Sequence, residues 1–186
     1  MTRVLAWCAL LLWSCGPVDL LVVNVADAGD LPAQTGAPCS TIDDCAAGQF
    51  CEKTACTDTV GRCAARPQVM DACPNDFRPE CGCDRVQYLN DCFRRYAGIP
   101  ANQDRGACVP RECDVSSPCP DGAYCARLVF PNECNRVSVG QCWVVPDTAC
   151  MNRDHFLRCG APTECLDFCA AVRSEQPMAR QMGPCP

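Results

Sequence analysis

The chain has 186 residues, 22 of them cysteine, with 16 Lys+Arg against 22 Asp+Glu and a formal net charge of −6. Cysteine at this density marks a secreted disulfide scaffold, because the cytosol keeps thiols reduced. Aromatics make up only 6%, so a core of ordinary size is excluded and crosslinks must replace it. The acidic balance and the lack of a basic stripe exclude nucleic acid as a partner.

The N-terminus reads as a targeting segment. Arg3 supplies a positive charge and Val4 to Trp13 an apolar stretch, too short to span a bilayer but suited to a signal-peptide core. Residues 1–14 are read as that signal. The run Leu12-Trp13-Ser14-Cys15-Gly16 then resembles a bacterial lipobox, in which Cys15 is lipidated and becomes the mature N-terminus. The expectation is an exported protein of the bacterial envelope, or an extracellular one, held to the membrane through Cys15. Cysteine arithmetic agrees, since loss of Cys8 and lipidation of Cys15 leave an even number. Residues 15–38 read as a tether.

From Cys39 the chain repeats itself. Both Cys39-Cys45-Cys51 and Cys113-Cys119-Cys125 are spaced C-x5-C-x5-C, and Gly48-Gln49-Phe50-Cys51 matches Gly122-Ala123-Tyr124-Cys125. Both stretches close on a fifteen-residue interval, Cys92 to Cys108 and Cys169 to Cys185. Residues 39–108 and 113–185 are therefore read as two tandem ten-cysteine units of a small disulfide-rich fold, joined by the linker 109–112. Each unit is expected to open with a loop-rich cysteine knot, CSTIDDCAAGQFCEKTAC in the first, without helix or strand periodicity. Behind it the first unit should carry short strands near Glu80–Cys83 and Arg85–Tyr88. A short helix should follow, capped by Asn90 and stopped by Gly98. In the second unit CGAPTECLDFCAAV predicts a helix over Thr163 to Val172, with Cys165 and Cys169 on one face.

The stretch CPNDFRPECGCDRVQYLNDCFRRYAGIPANQDRGAC, Cys73 to Cys108, carries a wider pattern. It combines C-x7-C-x10-C spacing with Phe77-Arg78-Pro79, Cys81-Gly82, Asp84, Tyr88, Asn90-Asp91-Cys92, Ala97-Gly98 and Gly106-Ala107-Cys108. This resembles a Kazal-type domain, the disulfide-bound serine-protease inhibitor module, in a non-standard subtype with Cys83 directly after Gly82. The Kazal-like piece spans about 63–108. The resemblance implies a reactive loop at Asn75, Asp76, Phe77, Arg78 and Pro79. Asn75 would fill the protease's specificity pocket, and Asp76 would follow the scissile bond. It also implies bridges Cys73–Cys92 and Cys81–Cys108, with Cys63–Cys83 as the guess for the displaced bridge, and by analogy Cys150–Cys169 and Cys159–Cys185. Asn90 resembles the family's spacer asparagine, which braces the loop. Capping the helix is its other open role. Arg85 stands where a glycine usually follows Asp84.

The second unit departs further. Asp167 stands in place of Asn90 and cannot donate a hydrogen bond. Its possible second loop, Asn152, Arg153 and Asp154, is one residue longer. Counted backward from Cys159, Arg153 takes the specificity position, and counted forward from Cys150, Asn152 does. An arginine there would suit a trypsin-like pocket, whereas Asn75 would leave that pocket's carboxylate unpaired.

Neither enzyme nor metal site is expected. There is one histidine, His155, and no nucleophile, zincin or phosphate-loop motif. The dominant cysteine interval of five differs from zinc-ligand spacing, so no cofactor is expected. Two functions of different class remain. One is a serine-type endopeptidase inhibitor with a serine protease as partner. The other is a non-inhibitory cysteine-rich surface module that keeps the scaffold alone.

Overall fold

The computed structural model describes residues 35–102, 109–135, 139–150 and 154–181. Three short strands, β1 (Pro38–Cys39), β2 (Gln49–Glu52) and β3 (Gly61–Ala65), form an antiparallel sheet in the order β1-β3-β2. The front of the chain is thus not the strandless knot expected. Strands of 2, 4 and 5 residues are too short to show a period of two. A helical turn, Ile42–Asp44, precedes β2, and its N-terminus is closed by the Asp44 carboxylate, which accepts from the backbone N–H groups of Ser40 (2.6 Å) and Thr41 (2.9 Å). These amide donors, closest to the carboxylate, hold Asp44 below its ordinary pKa.

β4 (Glu80–Cys81) and β5 (Gln87–Tyr88) pair antiparallel around a tight turn. Arg85 sits there at φ 63°, in the left-handed region that a glycine would occupy freely. Gly82 is closely hemmed in by the side chains of Asp84, Ile99 and Tyr88. A Cβ on it would lie 2.8 Å from Ile99 and 2.9 Å from Tyr88. Tyr88 is buried and donates to Asp84 Oδ2 at 2.7 Å. Burial first, then that bond, push its phenol pKa upward.

Helix α1 (Asp91–Tyr96) begins at Asn90 and stops before Gly98, which holds φ 74°. Its Arg94 is buried at 3% exposure. The guanidinium meets Glu52 Oε2 at 3.0 Å and Asp91 Oδ1 at 2.6 Å, donates to the Ile99 carbonyl and lies over the Phe50 ring. Arg94 therefore pins α1 to β2 of the front sheet.

The second half contributes β6 (Glu112–Cys113), β7 (Tyr124–Val129), β8 (Gly140–Val144), β9 (His155–Arg158), β10 (Ala161–Asp167), helix α2 (Phe168–Arg173) and β11 (Pro177–Gln181). Helix α2 starts later than Thr163, because residues 161–167 pair with β9 and Asp167 caps the helix by accepting from Ala170 N–H at 2.9 Å. Cys165 consequently lies on a strand, not on a helix face shared with Cys169. β4 and β5 join these strands in one eight-stranded sheet, ordered β10-β9-β11-β7-β8-β5-β4 with β6 on β8. The seam between the halves is a parallel pairing of β5 with β8, Gln87 opposite Trp143. One apolar core serves both halves and includes Val86, Leu89, Phe93, Phe156, Val172 and Met178. Of residues 109–112 only Pro110 is buried, and Arg111 N–H donates to the Arg85 carbonyl.

Disulfides replace much of the core. Cys39–Cys51, Cys45–Cys63, Cys56–Cys83 and Cys73–Cys92 crosslink the first half. Cys113–Cys125, Cys119–Cys142, Cys134–Cys159 and Cys150–Cys169 crosslink the second. Two expected bridges are corrected. Cys63 pairs with Cys45 and Cys83 with Cys56, not with each other, and Cys159 pairs with Cys134, not Cys185. Spacing does not dictate connectivity. Strand register does not dictate it either: β2–β3 pairing sets Cys51 opposite Cys63, yet Cys51 is bridged to Cys39 and Cys63 to Cys45. Cys81 and Cys165 are also disulfide-bonded. Cys108 and Cys185 lie outside the described residues, as does Cys15. Among the described residues no helix is long and apolar enough to cross a membrane.

Candidate functional site

Residues 73–80 form a loop fixed at both ends. Cys73 is bridged to Cys92 on α1, and Glu80 enters β4. Between them Arg78 N–H donates to the Leu89 carbonyl at 3.0 Å. Asn90 stands behind the loop and is 4% exposed. Its Oδ1 accepts from Cys92 N–H (3.0 Å) and Phe93 N–H (3.3 Å), which caps α1. Its Nδ2 donates to the Pro74 carbonyl (2.7 Å), the Asp76 carbonyl (3.0 Å) and Asp76 Oδ1 (3.1 Å). The two roles left open for Asn90 are filled together, because an amide offers an acceptor to one side and donors to the other. The donated bonds reach the carbonyls immediately before and after Asn75, and so straddle the Asn75–Asp76 peptide bond.

The loop residues differ in exposure. Arg78, whose side chain is 82% exposed, pairs with Asp76 at 2.9 Å. Pro74, Arg78 and Pro79 face solvent. Asn75 is half-buried and donates to Thr148 Oγ1 (3.3 Å) and the Ala149 carbonyl (3.4 Å), both in the second half. Phe77 is 38% exposed. Its ring stacks on Trp143 at 6.5 Å and meets Phe168 edge-on at 4.8 Å, and Trp143 meets Phe168 edge-on at 4.9 Å. Beside them lies an apolar recess of about 290 Å³, lined by Phe77, Leu128, Phe130, Phe156 and Phe168, with the Asp154–Arg180 ion pair (2.9 Å) on its wall.

The structure therefore brings Asn75, Asp76, Phe77, Arg78, Pro79 and Asn90 into one braced loop. It adds residues that sequence reasoning missed: Trp143, Thr148, Ala149 and Phe168. Trp143 is the chain's one tryptophan beyond residue 13, which is a weak signal, and nothing in the sequence ties it to Phe77. Of the second candidate loop, Asn152 and Arg153 lie outside the described residues. Asp154 is paired with Arg180. Asp167 caps α2 and has no donor with which to brace a loop. The cysteine triplets that cluster elsewhere, Cys39-Cys45-Cys63 and Cys113-Cys119-Cys142, are disulfide sulfurs, without the thiolates a metal needs. No family model matches the chain, and no curated protein is similar to it.

Proposed function

We propose that the chain is an exported Kazal-like protein that inhibits a serine-type endopeptidase through the loop 73–79. The observation that carries this reading is the Asn90 amide, which holds the carbonyls on both sides of Asn75–Asp76. A substrate-like loop held in that way loses little freedom on binding, and after a cut its ends stay in register. The lipobox-like run at Cys15 supports an envelope lipoprotein. Two ten-cysteine units arising by duplication are supported by the bridges. The first–third pairs span 12 residues in each half and the sixth–ninth pairs span 19. Asn75 is small and uncharged. It suits the small or apolar pockets of elastase- and chymotrypsin-type enzymes better than a trypsin-type pocket, whose carboxylate it leaves unpaired.

A second reading, a surface module that blocks nothing, is favoured by one contact. The Asn75 side chain turns onto Thr148 and Ala149 of its own chain. Titration of elastase, chymotrypsin and trypsin with the full chain decides between them. The inhibitor reading expects stoichiometric inhibition of at least one of the first two, and a gain of trypsin inhibition in Asn75→Arg. Loss of trypsin inhibition in Arg153→Ala would assign any such activity to the second unit instead. If no enzyme is inhibited and the loop is cut and released, the second reading stands.

A further inference from the structure

Asn90 ties the loop backbone on both sides of the bond, but not the Asn75 and Phe77 side chains. It reaches the backbone at Pro74 and Asp76, and the side chains that follow the bond need another support. For Phe77 that support comes from the second half. β8 pairs with β5, and Leu89 N–H donates to the Val144 carbonyl at 3.1 Å. This docks the strand behind the loop onto the strand that carries Trp143. Phe168 stands between the other two rings, edge-on to Phe77 at 4.8 Å and to Trp143 at 4.9 Å, and the Phe77 and Trp143 rings lie nearly parallel at 6.5 Å. The Phe77 ring thus rests on Phe168, itself 3% exposed, with Trp143 completing the cluster. Thr148 and Ala149 hold the Asn75 amide on the opposite side of the same bond.

We infer that the second half is the outer brace of the loop 73–79, with Trp143 and Phe168 as positioning residues, and that this, not a second inhibitory loop, is its contribution. The inference rests on the inhibitor reading for its purpose. Hydrolysis adds one water across Asn75–Asp76, giving an Asn75 carboxylate and an Asp76 ammonium, and re-ligation expels the same water. For re-ligation to compete with release, both new ends must be held. The Asn75 end is tied by the Cys73–Cys92 bridge and the Thr148 contact. The Asp76 end is tied by Asn90 and, one residue on, by the Phe77 clamp. Opposed braces of this kind limit the freedom of both fragments and raise their effective concentration.

Amide hydrogen exchange on the full oxidised chain tests this, read at residues 75–78 and, as control, across α1. Aromatic pairs contribute roughly 0.5–1.5 kcal/mol, so Trp143→Ala should speed exchange in the loop by up to about tenfold. Exchange in α1 should be unchanged, and Trp143→Phe should restore most of the protection. Phe77→Ala removes a partly exposed ring from the edge of the core, where it meets Phe168. It should match Trp143→Ala, and the double variant should add little beyond either. Loop exchange unaltered by Phe77→Ala, or fully additive effects, would overturn the brace. Protease titration of the same variants separates the two readings. A chain that inhibits nothing but loosens on Phe77→Ala keeps the brace and loses the inhibitor function. A chain that inhibits, with a loop indifferent to Phe77→Ala, does the reverse.

Discussion

Asn90 shows how much one amide can carry. It caps a six-residue helix with its oxygen and ties the loop with its nitrogen. Substitution separates the two roles. Asn90→Asp keeps the acceptor for Cys92 and Phe93, loses the donors to Pro74 and Asp76, and places a second carboxylate beside Asp76. The expected result is an intact α1 with a loop cut faster by proteases, read by circular dichroism and by mass spectrometry of the Asn75–Asp76 bond. Asn90→Ala loses the cap as well and should cost about 1 kcal/mol more in helix stability. Equal loop protection in wild type and Asn90→Asp would show that Asn90 is only a cap. The second half already contains this experiment, since Asp167 caps α2 through Ala170 and has nothing to donate. Asn90 was legible in the sequence as a residue of two possible roles. That it fills both depends on the loop folding back over it, which no local pattern encodes.

Among the elements, α1 was the most legible, because a cap at Asn90 and a positive-φ glycine at Gly98 are local signals. The α2 start was missed because the run 161–167 is held extended by its ladder to β9, a partner that spacing does not name. The front strands were missed because they are too short to show a period of two, and the Cys45–Cys63 and Cys56–Cys83 bridges because spacing does not name a partner. Arg94 joins the front sheet to α1, as does the Arg95 bond to the Ala65 carbonyl, and no local pattern encodes the burial of Arg94. Its removal leaves Glu52 and Asp91 without their cation and opens space over Phe50. Glu52 and Asp91 keep 27% and 52% of their side-chain exposure. The loss should therefore fall below the 3–5 kcal/mol of a fully buried pair, at about 2–3 kcal/mol. Denaturant unfolding of Arg94→Ala checks this, and a midpoint equal to wild type would mean that the pairs contribute nothing.

Two stretches that read as tandem units meet in one eight-stranded sheet and its core, while β1–β3 form a sheet of their own. The repeat in the cysteine spacing was visible. The merger was not, because it depends on β5 and β8 running side by side, Gln87 against Trp143. The merger also ties Phe77, Trp143 and Phe168 into one cluster at the seam, so the loop is supported from both halves. A loop held in this way should be rigid enough to behave as a substrate that is not released. The most direct measurement starts from chain already cut at Asn75–Asp76, incubated with catalytic elastase or chymotrypsin and followed by the mass of one water. Intact chain should re-form to a stable mixture of cut and uncut forms, approached equally from either side. A sample that stays fully cut, or an intact chain that drifts to complete cleavage, would contradict it.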